Sequence, residues 1–255
     1  MADPPPLLLT DRALDGGQVI RIVRMHRPAA RNAMDTAMLE ALVDALDQAA
    51  TDERVGGVLL AGDSDVFSAG ADVHEELADG GVRRTELFTI FYELLSLHVK
   101  PTAAAVRGPA VGGGAEAAAA CDIRCATPSA RFRFPGALYG IPVGAARTLG
   151  QVGLGVAKDW VLSSRDVSAQ EAAAAGFVQR LVDDDQAEDA AVAWLATVAS
   201  RDRVTVTRLK QVLNAFAGVP DRVAWENDAL RSYVEEGGVP PRPGAFGISD
   251  TAQRA

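Results

Sequence analysis

The chain has 255 residues, of which 48% are hydrophobic and 23% are charged, so it can bury the core of one globular domain. Its formal net charge of -9 argues against nucleic-acid binding, which depends on a basic face that neutralises phosphates. It contains no run of about 18 apolar residues, and its Pro-rich N-terminus lacks the features of a signal peptide. We therefore expect a cytoplasmic protein that binds neither nucleic acid nor a membrane.

The cysteines and histidines indicate no metal or disulfide chemistry. Cys121 and Cys125 are too few for a disulfide framework or a four-thiolate zinc site, so we expect buried, inert thiols. The histidines at positions 26, 74 and 98 do not have the H-E-x-x-H spacing of a zinc-binding helix. We predict no metal and no separate cofactor.

In chain order, hydrophobic periodicity predicts strands that alternate with helices. The predicted elements are a hairpin of residues 7–11 and 19–25, a helix after an N-cap at Asp35 or Thr36, a strand at 55–61, a helix at 83–97, a strand at 102–106, a short helix at 115–120 and a strand at 123–126. Two such β-α-β units indicate an α/β core.

The later part of the chain is predicted to be mostly helical. Ser168 and Glu171 have the spacing of a capping box, Gly176 closes that helix, and a strand follows at 178–182. Further helices are predicted at about 186–200, 203–217 and 221–236, and the Gly/Pro-rich residues 237–255 are predicted to be loose. We therefore divide the chain into an α/β core (1–185) and a C-terminal helical region with a loose tail (186–255).

Two glycine-containing segments follow predicted strands and are the strongest candidates for chemistry. They read F-S-A-G-A-D at residues 67–72 and G-P-A-V-G-G-G-A-E at residues 108–116. Glycine lets a ligand approach the backbone, and two N–H groups that converge on one point form an oxyanion hole. The alternative is that both segments are tight turns whose glycines relieve packing. Neither segment has the complete spacing of a dinucleotide-binding or P-loop motif.

These segments occur together with others that resemble the crotonase (enoyl-CoA hydratase/isomerase) superfamily. R-P-A-A-R-N-A-M at residues 27–34 is similar to the opening segment of the family, and residues 66–73 and 108–122 resemble its two oxyanion-hole segments. S-A-Q-E-A at 168–172 with G-F-V at 176–178 resembles a late segment, so the similarity spans about residues 7–215. The resemblance implies a crotonase-like spiral of β-β-α units with a helical C-terminal region, assembled as a homotrimer or a dimer of trimers.

The resemblance also implies roles for individual residues. The backbone N–H groups of Ala71 and Gly113 would bind the thioester oxygen of an acyl-CoA, whose coenzyme A is part of the substrate, and Glu116 matches the first catalytic glutamate. Taken alone, a glutamate in a first helical turn is often only structural. The implied substrate-binding residues are Arg31 and Ala33 near the adenosine, Asp72 and Val73 along the CoA channel, and Ala69, Gly70, Val111, Gly112, Pro135, Gly136 and Tyr139.

One position departs from the family pattern. Hydratases have a second glutamate directly after the proline that corresponds to Pro135, and this chain has Gly136 there. Hydration is easiest when one carboxylate activates water while another delivers a proton to the α-carbon, so the hydratase assignment is weakened. If the second carboxylate is all that is lacking, Gly136→Glu should raise hydration, provided that the backbone tolerates a side chain. The loop at 140–153 is also about three residues shorter than usual.

Other side chains near this segment have both a structural and a functional interpretation. Tyr139 could replace the missing proton donor or pack in the core. Arg131, Arg133 and Arg147 are expected to be solvated or paired. The charged run that begins at His74 could present a base but is typical of a solvated face, and Lys210 could meet a CoA phosphate or simply be solvated.

We expect acyl-CoA conversion of the hydratase/isomerase type, with a role in fatty-acid metabolism and with Glu116 as the sole acid/base. The alternatives are another crotonase reaction, such as decarboxylation or thioester hydrolysis, and a non-catalytic acyl-CoA-binding protein.

Overall fold

The computed structural model describes residues 5–238. Within that range the strands are β1 (Leu7–Ala13), β2 (Val19–Met25), β3 (Val55–Gly62), β4 (Thr102–Val106), β5 (Pro109–Val111), β6 (Ile123–Ala126), β7 (Arg131–Arg133), β8 (Val167–Ser168) and β9 (Arg180–Leu181). The helices are α1 (Thr36–Thr51), α2 (Val82–Ser96), α3 (Gly113–Ala120), α4 (Gly136–Tyr139), α5 (Ala145–Thr148), α6 (Leu154–Ser163), α7 (Ala169–Ala174), α8 (Ala187–Ala199), α9 (Arg203–Phe216) and α10 (Val219–Glu235).

The strands form two sheets. The larger sheet has the order β1-β2-β3-β4-β6-β9 and is parallel except for the antiparallel β1–β2 hairpin. The smaller sheet has the order β5-β7-β8, with β5 parallel to β7. The chain therefore leaves the large sheet after β4, contributes β5 to the small sheet, and returns through α3 to β6. This alternation between sheets confirms the predicted α/β spiral.

Helices cover both faces of the large sheet. Alternate residues of a strand point to opposite faces, and accordingly Val58 and Leu60 of β3 pack in the main core with α1, whereas Leu59 packs in a second cluster with Leu195 of α8. Because both faces are covered, the central strands are buried and almost entirely apolar. The C-terminal region thus contributes α8 to the core of the sheet.

Most predicted elements are confirmed, with small differences at their ends. Asp35 is the N-cap of α1, since its side chain accepts a hydrogen bond from the Met38 N–H. Ser168 caps α7 in the same way, but the Glu171 side chain bonds Arg165 and Trp160, so only half of the predicted capping box forms. The strand predicted at 178–182 is reduced to β9. Both cysteines are free and buried, as expected.

Some expectations concern residues outside the described range. The predicted looseness of 237–255 falls almost entirely on residues beyond 238, and the first four residues also lie outside. Within residues 5–238, none of the helices is both long enough and apolar enough to span a membrane.

Gly108 fixes the turn that separates the two sheets. It has a φ of 63°, and a Cβ there would lie 1.8 Å from the backbone oxygen of Asp65. A side chain is therefore excluded by both conformation and space. The close approach to residue 65 lets the chain enter β5 beside the segment at 67–72.

Replacing Gly108 with Ala should destabilise the protein strongly. An L-residue in the left-handed region costs about 1–2 kcal/mol, and the contact with Asp65 adds to that cost. Gly176 is a matched control, because it has a φ of 81° with no atom within 4 Å of an added Cβ. Urea unfolding should show a clearly larger loss for Gly108→Ala than for Gly176→Ala. Equal losses would contradict the tight packing of this turn.

Candidate active site

Two glycine-containing turns lie side by side at the junction of the sheets. The backbone N–H of Val111 donates to the carbonyl oxygen of Ser68 at 2.9 Å, and the Ser68 N–H donates to Pro109 at 3.2 Å. Gly70 has a φ of 90°, and a Cβ there would lie 2.6 Å from the Val111 oxygen and 3.1 Å from the Gly113 nitrogen. Glycine at position 70 therefore allows the two turns to touch.

The N–H groups of Ala71 and Gly113 are available to a ligand. The Met34 N–H donates to the Gly70 oxygen, and the Met34 oxygen accepts from the Asp72 N–H. Met34 and Ala71 thus form a parallel bridge, in which the Ala71 N–H points away from Met34. Gly113 is the first residue of α3, where a helix has no internal acceptor for its N–H groups. Among residues 5–238, neither N–H group has a protein acceptor.

Both turns open into a cavity of about 370 Å³. The cavity is lined by every residue for which the sequence predicts a role: Arg31, Ala33, Ala69, Gly70, Ala71, Asp72, Val73, Val111, Gly112, Gly113, Glu116, Pro135, Gly136 and Tyr139. All of these residues therefore lie around one cavity, and the role of each remains a prediction. Helices α2 and α10 complete the wall with Phe88, Tyr92, Leu230, Tyr233 and Val234, which the sequence did not single out.

Glu116 lies on α3 and is held by a buried ion-pair triad. Its side chain is 2% exposed, and the Arg147 Nε donates to its Oε2 at 2.7 Å. Arg147 also pairs with Glu226 of α10, and its guanidinium lies 4.2 Å from the ring centre of Tyr92. Glu226 in turn accepts hydrogen bonds from the N–H groups of Ala145 and Ala146. One buried cation is therefore shared by two carboxylates.

The triad sets the protonation of Glu116. Burial raises the pKa of Glu116 to about 7; the charge of Arg147 lowers this pKa, and the charge of Glu226 raises it. A carboxyl group with a pKa near neutrality can both accept and donate a proton at physiological pH. Its Oε1 lies toward Gly144, since a Cβ on Gly144 would be 3.0 Å from that oxygen.

Gly136 stands where a second carboxylate was expected, and the structure leaves no room for one. A Cβ on Gly136 would lie 2.6 Å from the Val143 oxygen and 2.7 Å from the Ile141 oxygen. Both contacts are with backbone atoms of the short loop that follows α4, so a rotamer change cannot relieve them. The backbone at position 136 therefore does not tolerate a side chain without a shift, which argues against a gain of hydration in Gly136→Glu.

Several neighbouring charges are already engaged in structural contacts. Asp72 lines the cavity but pairs with Arg27 at 2.9 Å, and Lys210 pairs with Asp122 at 2.8 Å. In the run that begins at His74, Glu75 pairs with Arg84. Of the three arginines considered near the site, Arg147 is buried and paired, Arg133 donates to the Ser164 oxygen, and Arg131 is exposed. Within residues 5–238, no cluster of side chains suited to a metal ion is present.

A side chain at position 136 should cost stability without adding activity. We expect both Gly136→Ala and Gly136→Glu to lower the melting temperature, because the Cβ contacts backbone oxygens. Gly155→Ala on α6 is the control, since an added Cβ there meets no atom within 4 Å. Differential scanning calorimetry and a crotonyl-CoA hydration assay test this. A Gly136→Glu protein that keeps its melting temperature and gains hydration would contradict the geometry described here.

Removing the charge of Glu226 should lower the pKa of Glu116. Glu226→Gln keeps an oxygen for the Ala145 and Ala146 N–H groups but removes the negative charge that raises the pKa of Glu116. We expect the carboxyl titration of Glu116, followed by ¹³C NMR, to move from about 7 to lower pH. Asp228→Asn, an exposed position on α10, should leave that titration in place. An upward shift in Glu226→Gln would contradict the arrangement of charges.

Known proteins are similar to this chain in sequence and in fold. The family model for enoyl-CoA hydratase/isomerase matches residues 15–231. The chain is 34% identical over 201 residues to 2,3-dehydroadipyl-CoA hydratase of Escherichia coli, covering 77% of this chain and 78% of that protein. It is 32% identical to short-chain-enoyl-CoA hydratase of Clostridium acetobutylicum, covering 83% and 84% of the two chains. A crystal structure of an enoyl-CoA hydratase/isomerase from Xanthobacter autotrophicus Py2 has a TM-score of 0.77 at 28% identity, covering 91% of this chain and 88% of that chain. The chain belongs to the enoyl-CoA hydratase/isomerase family.

Proposed function

We propose that this protein binds an acyl-CoA thioester and converts its acyl group through an enolate. The observation that supports the proposal is the pair of unpartnered N–H groups, on Ala71 and Gly113, that open into the same cavity as Glu116. Donors fixed where negative charge develops stabilise it more than water does, because they need no reorganisation during the reaction. The N-terminus of α3 adds its dipole on the same side.

In this proposal Glu116 is the sole group that moves protons. Its carboxylate removes a proton from the α-carbon, the electron pair moves to the thioester oxygen, and the resulting enolate is held by Ala71 and Gly113. The protonated Glu116 then returns the proton to the acyl chain. With a 3-enoyl substrate the enolate is conjugated with the double bond, so protonation of the fourth carbon moves that double bond to the second carbon. Hydration should be slow, because no second carboxylate can stand at position 136.

The coenzyme A part has a proposed path along one wall of the cavity. We propose that Arg31 and Ala33 contact the adenosine and that Asp72 and Val73 line the channel for the rest of coenzyme A, since all four residues line the cavity. We propose a homotrimer or a dimer of trimers. Exposed apolar residues on α9, including Leu209, Leu213 and Phe216, support assembly, because such a face is costly to leave in water.

Two other functions of the same site are supported by specific contacts. A decarboxylase or thioester hydrolase needs the oxyanion hole but not a second carboxylate, which fits the packed Gly136. A non-catalytic acyl-CoA-binding protein fits the ion pair that Glu116 makes with Arg147, because that pair opposes proton uptake. Turnover assays with enoyl-, malonyl- and saturated acyl-CoAs distinguish these functions.

Acyl-CoA binding is tested by thermal stability. A ligand that binds only the folded state raises the melting temperature through mass action. We expect butyryl-CoA or crotonyl-CoA at saturating concentration to raise the melting temperature, and free acyl chains without coenzyme A to have little effect. The absence of a shift with every acyl length would contradict the proposal.

Proton transfer is tested by exchange of the α-protons of butyryl-CoA in D₂O, followed by ¹H NMR. The exchange requires only the oxyanion hole and one base, so we expect the wild type to catalyse it faster as the pH rises through about 7, where Glu116 loses its proton. Glu116→Gln should slow exchange by about 10²- to 10⁴-fold while acyl-CoA binding survives. Full exchange activity in Glu116→Gln would assign the base to another residue.

A further inference from the structure

Tyr92 is a buried tyrosine at the reacting end of the cavity. It lies on α2, is 3% exposed, and its ring is fixed by the Arg147 guanidinium on one side and by the Phe88 and Phe91 rings. These contacts restrict the orientation of the ring, and therefore the position of its hydroxyl group.

The hydroxyl group of Tyr92 lies beside Gly113. A Cβ built on Gly113 would be 3.1 Å from the Tyr92 Oη, with Phe88 at 3.0 Å. Among residues 5–238 no group forms a hydrogen bond with this hydroxyl. The hydroxyl is not among the fully buried atoms that lack a partner, so it opens on the cavity, where a ligand oxygen that displaces water would have to supply its hydrogen bond.

The hydroxyl is a hydrogen-bond donor at every pH at which the site works. Burial raises the pKa of Tyr92 well above its usual range, and the negative charge of Glu116 raises it further, while Arg147 opposes both. Tyr92 therefore keeps its proton while Glu116 titrates.

We propose that Tyr92 determines acyl specificity by donating a hydrogen bond to an uncharged oxygen on the acyl chain, close to the thioester. The inference rests on the proposed function, since it assumes that the thioester oxygen lies at the Gly113 N–H. A hydrocarbon chain would leave the Tyr92 hydroxyl without a partner in a desolvated site, whereas an acyl oxygen two carbons from the thioester carbon would satisfy it.

The charges around Tyr92 favour an uncharged oxygen over a carboxylate. The ionisable groups that face Tyr92 are Glu116 on α3, Arg147 on α5 and Glu226 on α10, so one cation stands against two carboxylates. A carboxylate on the acyl chain would add a third negative charge to this buried cluster, and like charges at short range repel strongly at low dielectric.

The test compares the dissociation constants of acetoacetyl-CoA, butyryl-CoA and malonyl-CoA by isothermal titration calorimetry. Acetoacetyl-CoA and butyryl-CoA differ by the oxygen on the third carbon. For the wild type we expect acetoacetyl-CoA to bind about threefold to tenfold more tightly than butyryl-CoA, and malonyl-CoA to bind more weakly than acetoacetyl-CoA. In Tyr92→Phe, which retains the ring against Arg147, the ratio of acetoacetyl-CoA to butyryl-CoA affinity should fall to about one.

Ser96→Ala is the control, because it removes a hydroxyl group without a hydrogen-bond partner from the same helix, outside this cavity. We expect it to keep the affinity ratio of the wild type. As an independent measurement on the wild type, ¹³Cζ-labelled tyrosine gives one NMR signal for each of the three tyrosines, assigned with Tyr139→Phe and Tyr233→Phe. The Tyr92 signal should shift with acetoacetyl-CoA and much less with butyryl-CoA.

The outcomes separate this inference from the proposed function. If no acyl-CoA binds, the proposed function fails, and the specificity of Tyr92 fails with it. If both ligands bind but the wild type shows no preference, or Tyr92→Phe keeps the preference, only the role of Tyr92 is overturned. An unchanged Tyr92 signal with acetoacetyl-CoA would also overturn it, whether or not Tyr92→Phe folds.

Discussion

The arrangement of the candidate site depends on one buried cation. Arg147 lies between Glu116 and Glu226 and is itself 3% exposed, so all three charges are removed from water together. Desolvation of a carboxylate is costly, and only a partner of opposite charge makes it tolerable in a core. The same arginine stacks on Tyr92 and thereby connects α3, which carries the candidate base, to α2, which lines the cavity.

Backbone geometry complements this electrostatic arrangement. Gly70 and Gly108 lie where a Cβ would collide with main-chain oxygen atoms, and they bring the two turns close enough for hydrogen bonds between residues 68 and 111. Gly136 is crowded in the same manner but by the loop of residues 141–143. Thus the same property of glycine, its lack of a Cβ, lets the two turns come together at one place and leaves no space for a side chain at another.

The sequence predicts those features of the fold that depend on residues close together in the chain. The strands at 55–61 and 102–106 were predicted from continuous apolar runs, and the turns from glycines beside those strands; the resemblance to a family then related the turns to each other. The triad could not be predicted in this way. Arg147 is 31 residues from Glu116 and 79 from Glu226, and no periodicity or motif connects residues at such separations. Tyr92 was missed because an aromatic residue on an apolar helix is typical of a core.

Helix α10 has a consequence for how the site is maintained. It contributes Glu226 to the triad and Leu230, Tyr233 and Val234 to the cavity wall, although Glu226 lies 79 residues from Arg147 in the chain. Local opening of a single helix generally requires less free energy than global unfolding. Each opening of α10 would remove a counter-charge and a wall at once, while the sheet and the oxyanion turns remain folded. The site is therefore complete only while α10 is packed against the rest of the fold, so its integrity depends on the last described helix.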